Sequence, residues 1–118
     1  MVMSDQLPNP YLDRFKELLV RGAAVAQARI DAEGPTAPIS DDARERAQNV
    51  LSYTLKEATA WRAARDLLLT MAPKMEAAGY RQEWLAYLND GLWQSEQQGD
   101  QAALAALQFQ CGSLHRLL

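Results

Sequence analysis

Cys111 and His115 stand four residues apart, and they are the only cysteine and the only histidine of the chain. On a helix that spacing puts thiol and imidazole on one face, where a nucleophile and its base would have to stand. Such a pair also needs a third group to orient the base, and no residue of the sequence is identified for that role. A packed thiol on an apolar seam is the simpler reading of Cys111. A lone histidine falls short of the two or three that histidine-based zinc sites use, so His115 reads as a structural residue on a helix face. One cysteine also excludes an internal disulfide and any multi-cysteine metal site. The six glycines are scattered, so there is no glycine-rich loop to cradle a phosphate. The Asp41-Asp42 pair falls at a helix start, where capping and the helix dipole account for it. Glu17 and Arg21 suit a solvent-facing i, i+4 ion pair. No catalytic, cofactor-binding or metal-ligating residue is assigned, and the expectation is a protein that is not an enzyme and needs no cofactor.

The tryptophans offer a different chemistry. Trp61, Trp84 and Trp93, with Arg62 and Arg65, could surround an aromatic pocket, which would make the chain a small-molecule-binding helical bundle. Trp61 and Trp84 fall on apolar faces, so core packing is the preferred reading for them. Trp93 lies just off the Leu85, Leu88 and Leu92 face and is the tryptophan expected at the surface.

The elements that must position these residues are helices. The chain has 118 residues, one domain's worth, with 20 Ala and 17 Leu against 4 Val, 2 Ile and 4 Thr. Strands favour the β-branched residues that are scarce here, so the expected class is all-α. Asn9-Pro10 reads as an N-cap with proline in the first turn. Tyr11, Phe15, Leu18, Leu19, Val25, Ala26 and Ile30 then keep to one side up to Glu33, and Gly34-Pro35 ends the helix. Residues 1–34 are thus a long N-terminal helix, 35–40 a loop, and 41–118 the remaining helical part of a single domain. Asp42 with Glu45 three residues on suggests a capping box, supported by Ser40 and Asp41. The steps Ala43, Ala47, Val50, Thr54, Glu57, Trp61 run in phase into Ala64, Leu68, Met71, Met75 and Ala78. That continuity suggests one long bent helix, with a break near Thr54–Thr59 as the alternative and a kink, not a stop, at Pro73. Gly79-Tyr80 makes a turn before a helix over about 82–98. Gly91 inside it implies close approach of a neighbouring backbone. Gly99-Asp100 ends that helix and caps the next, whose seam is Leu104, Leu107, Cys111, Leu114 and Leu118.

An internal shift of 40 residues pairs Leu67 with Leu107, Leu69 with Phe109, Met71 with Cys111 and Met75 with His115. With Met71-Ala72-Pro73, Gly79-Tyr80, Glu83-Trp84, Gly99-Asp100 and Cys111-Gly112, residues 61–118 resemble tetratricopeptide-type helical repeats of bacterial multidomain regulators and signalling ATPases. The motif is degenerate. Gln108 stands at the bulky position, Cys111 at the leucine and His115 at the aromatic, and only Gly112 matches strictly. The resemblance implies antiparallel helical hairpins and a protein-interaction scaffold, with no catalytic residue to transfer. Leu69 and Phe109, at equivalent places beside the seams, are the apolar residues expected toward a protein partner, with Arg65 and Arg116 as rim charges.

The net charge is −3 and the isoelectric point about 5.1, against the basic stripe of a nucleic-acid binder. No signal peptide or membrane-length apolar run is visible, so the expectation is a cytoplasmic protein with no nucleic-acid or membrane partner. Its chain stops within what reads as the first helix of a repeat, where Phe109 and Leu117 lack a lid. The expectation is a homodimer that supplies one, or a fragment of a longer array.

Overall fold

A computed structural model describes residues 10–117. Asn9 and Leu118, read above as a cap and a seam residue, lie outside the described residues. The fold is all-α, with no strand among the described residues. Five α-helices follow one another: α1 (Pro10–Ala32), α2 (Asp41–Thr54), α3 (Trp61–Ala78), α4 (Arg81–Gln98) and α5 (Gln101–Leu117), with a 3-10 turn at Ala58–Ala60 between α2 and α3. Each helix packs on the next, and α3 also packs on α1 and α5. The body is elongated, 52 × 27 × 21 Å.

Residues 41–78 form two helices, not one. The in-phase seam is interrupted because the turn has its own partners. Glu57 accepts the Thr59 N–H at 3.0 Å and the Thr59 hydroxyl at 2.9 Å. Two glutamines one turn apart on α4 reach back to the carbonyls that the break frees: Gln94 Nε2 donates to Leu55 O at 3.0 Å and Gln98 Nε2 to Ala58 O at 3.1 Å. The buried Leu55 carbonyl needs such a partner, and tertiary contact here outweighs periodicity. At Pro73 the helix runs on to Ala78, as expected.

The start of α2 also differs from the sequence reading. Ser40 is the N-cap, its side chain accepting from the Ala43 N–H at 3.2 Å. Glu33, from across the loop, accepts the Ser40 N–H at 3.2 Å, which completes from a distance the reciprocal pair that Glu45 was expected to supply. Asp42 instead holds two arginines, Arg29 and Arg46. Lys74 of α3 fastens the loop by donating to Gly34 O at 2.7 Å and Ala37 O at 2.8 Å.

The core runs the length of the body through Ile30, Leu51, Leu67, Leu68, Met71, Met75, Trp84, Leu88, Leu107 and Leu114. On α4 the buried line is Trp84, Leu88, Gly91 and Ser95, while Leu85 and Leu92 are only partly covered. A Cβ on Gly91 would collide with Leu68 Cδ2 and lie 3.1 Å from Leu107 Cδ1. The close approach is thus made by leucine side chains from α3 and α5, not by a backbone. Gly79 and Gly99 end α3 and α4 in the left-handed region, φ 88° and 67°, which glycine enters without steric cost.

Candidate functional site

Gly99 turns the chain so that Asp100 precedes α5, and the Asp100 side chain does more than cap. Its Oδ1 accepts the Ala103 N–H at 3.1 Å. Its Oδ2 accepts the Trp61 indole N–H at 3.0 Å and Arg65 Nη1 at 3.1 Å. The indole bond, then the backbone bond and the guanidinium, hold the Asp100 carboxyl below the usual carboxylate range. Arg65, hydrogen-bonded by Asp66 at 2.9 Å and by Asp100, is held above its usual value. Trp61, buried as expected, thereby locks the first turn of α3 to the first turn of α5.

This lock forms one wall of a cleft of about 640 Å³ lined by Trp61, Arg62, Arg65, Asp100 and Val20. The aromatic–arginine grouping read from the sequence is therefore brought together in part. Trp61, Arg62 and Arg65 meet, while Trp84 is buried in the core and Trp93 stands exposed on α4. Within the cleft, the Trp61 N–H and the Nε and Nη1 of Arg65 are engaged by carboxylates.

The residues expected toward a protein partner divide. Phe109 is 68% exposed and Leu117 46% exposed on α5, and Arg116 is exposed beside them. Leu69 is half-buried against the core. It lies on the side of α3 that carries Arg65 and Glu76, both of which reach α5, the latter by accepting from Ser113 Oγ at 3.4 Å. The two positions thus differ: Leu69 packs against the core and Phe109 stands open.

A second surface was hidden from the sequence. The apolar residues of α1 were read as one face, but only Leu19, Ala23, Ala26 and Ile30 are buried. Phe15, Leu18 and Val25 are exposed. Leu18 and Val25 line a groove of about 460 Å³ between α1 and α2, whose other wall includes Val50 and whose rim carries Arg21, Arg29 and Arg46. Glu17 pairs with Arg14 at 3.6 Å and not with Arg21. The signal that could have found this groove is a second 3-4-3 stripe, at Phe15, Leu18, Gly22 and Val25, offset from the core stripe.

Cys111 is buried, and burial pushes its thiol up, opposite to what a nucleophile needs. His115 on the same helix is exposed. Among the described residues no three His, Cys, Asp or Glu side chains form a group that could hold a metal ion, and no helix is long and apolar enough to cross a membrane. Comparisons of the chain with protein-family models, with curated proteins and with solved structures give no match.

Proposed function

We propose that the chain is a non-enzymatic helical-repeat module of tetratricopeptide-like type that binds another protein as a scaffold or regulatory segment, in the cytoplasm. One observation carries the reading. Nine long-range side-chain hydrogen bonds among the described residues fall in one band of sequence separation, 35 to 43 residues. Three run from helix to helix, α1 to α3, α2 to α4 and α3 to α5, and the other six tie a helix to a loop, turn or cap residue. A constant offset between alternate helices is what a stack of hairpins with a period near 40 residues produces. Solenoids present their surfaces to protein partners, and the apolar residues left open here suit that use.

In this reading the exposed Phe109 and Arg116 form the partner-binding surface, while Leu69, half-buried against the core, and Arg65, bonded to Asp66 and Asp100, border it at most. Phe109 with Leu117 also supports self-association as a homodimer. The experiment is affinity capture by wild type and Phe109→Ser, matched for far-UV circular dichroism and melting temperature. A loss of about tenfold or more in captured partner is expected for a central aromatic; unchanged capture removes Phe109 from the surface.

The Trp61–Arg62–Arg65 cleft favours a second reading, a small-molecule-binding bundle. Its volume lies within the ~300–1,000 Å³ of ligand pockets. It predicts a rise in melting temperature with a bound metabolite, which Arg62→Ala would abolish.

A further inference from the structure

The groove between α1 and α2 has walls and a charged rim. Phe15, Leu18, Gly22 and Val25 recur at 3-4-3 spacing, so they share one face of α1 over about 15 Å, at ~1.5 Å per residue. Gly22 has no side chain to fill the groove. A Cβ there would already lie 3.6 Å from Val50 Cγ2, so the Val50 wall faces a notch in α1. A notch between two antiparallel helices, flanked by apolar side chains, is the form that accepts the ridge of a third helix.

The rim decides which helix. Arg21, Arg29 and Arg46 line the groove, and no carboxylate among the described residues does. Asp42, behind the rim, is shared between Arg29 and Arg46, which leaves the group positive on a chain whose net charge is −3. A second copy laid symmetrically on this face would set arginine against arginine, which is unfavourable. We infer that the α1/α2 groove, rimmed by Arg21, Arg29 and Arg46, is the docking site for an amphipathic helix whose apolar stripe is flanked by acidic residues. The inference rests on the interaction-module reading and names a site and a partner chemistry within it.

The test uses the full 118-residue chain and two fluorescent peptides of about four helical turns. Both carry leucine at 3-4-3-4 spacing; one has glutamates at the flanking positions and the other lysines. Anisotropy titration should show saturable binding of the glutamate peptide, tighter than the lysine peptide by about tenfold or more. Arg21→Glu with Arg46→Glu should invert the preference. Val25→Asp should weaken the glutamate peptide about tenfold or more. All three positions are exposed, and unchanged melting temperatures keep the comparison clean. Three outcomes overturn the proposal: no saturable binding of either peptide, equal binding of both, or binding indifferent to Val25→Asp. Binding to vesicles of phosphatidylserine and phosphatidylcholine but to neither peptide also overturns it, since the stripe would then lie on a membrane surface. Self-association lost in Val25→Asp overturns it in favour of a second copy. None of these results touches Phe109 on α5, so failure of the groove and failure of the module reading are told apart by the Phe109→Ser capture experiment.

Discussion

Asp100 receives the Trp61 indole, the Arg65 guanidinium and the Ala103 backbone at once, so its contribution can be separated by substitution. Asp100→Ala removes an N-cap, worth about 1 kcal/mol, and strands the N–H of a buried tryptophan, which costs a further ~1–3 kcal/mol. Urea unfolding at pH 7 should report a loss of roughly 2–4 kcal/mol. Asp100→Asn keeps an acceptor oxygen and should cost less. The carboxyl is a stronger acid folded than unfolded. Its stabilisation is therefore complete above the unfolded value of about 3.9 and is lost as pH falls through the lower folded value. The gap between wild type and Asp100→Asn should narrow as pH drops below about 4; a gap that stays constant to acid would show that the charge contributes nothing. Cys111 gives a second residue-level test. Its thiol is pushed up by burial alone, so iodoacetamide at pH 8 should alkylate it more slowly in the folded chain than in urea. Equal rates would mean that the seam does not cover it. The buried place of Trp61 and the exposed place of Trp93 could be read from the sequence, because each follows from position on its own helix. The grip of Asp100 on Trp61 could not, since the partner lies 39 residues away and capping alone already explained the aspartate.

Two helix-interior glycines carry opposite predictions. At Gly91 an added methyl meets Leu68 and Leu107 side chains with no room. The ~1–3 kcal/mol of overpacking outweighs the ~1 kcal/mol that alanine adds to a helix, so Gly91→Ala should lower stability. At Gly22 the same methyl meets Val50 only at ordinary contact distances, 3.6 and 3.8 Å. Gly22→Ala should therefore raise stability by up to about 1 kcal/mol, measured as the shift in urea midpoint at constant m. A fall at Gly22 as large as that at Gly91 would show that α1 and α2 leave no room for a methyl. The α5 seam shows where local pattern suffices and where it does not: Leu107, Cys111 and Leu114 are buried as spaced, but Ala103 takes the place expected for Leu104. On α4 the buried line runs through Gly91 because a residue without a side chain admits leucines of two neighbouring helices, a reason that no single helix carries. The break after Thr54 was hidden for a like cause. Its stabilising donors, Gln94 and Gln98, sit two helices away and look like solvent-face glutamines.

At the scale of the molecule, helical class follows from alanine and leucine alone, and the length of α1 from its flanking Pro10 and Gly34. The order of packing is not legible in the sequence, since the hydrogen bonds between distant segments join chemically dissimilar residues, such as Lys74 to Gly34 and Gln48 to Glu83. The last prediction rests on the proposed stack of hairpins, in which each helix would be covered by its predecessor and its successor. Leu69 on α3 is half-buried against the core, while Phe109, 40 residues on, is 68% exposed. Phe109, Leu117 and their flanking alanines form an apolar end face, and soluble monomers rarely leave such faces open. A second copy meeting this end about a two-fold axis would cover both faces with one interface. Sedimentation equilibrium of the 118-residue chain at roughly 10–100 μM, a range spanning micromolar affinities, should therefore show dimer. Leu117→Asp should shift the equilibrium to monomer by about tenfold or more in dissociation constant. Because Leu117 lies in the last turn of α5 and is 46% exposed, the variant's melting temperature should barely change. A clean monomer at every concentration, with Leu117→Asp indistinguishable from wild type, would mean that the end face is stable in water, and self-association through α5 would be abandoned.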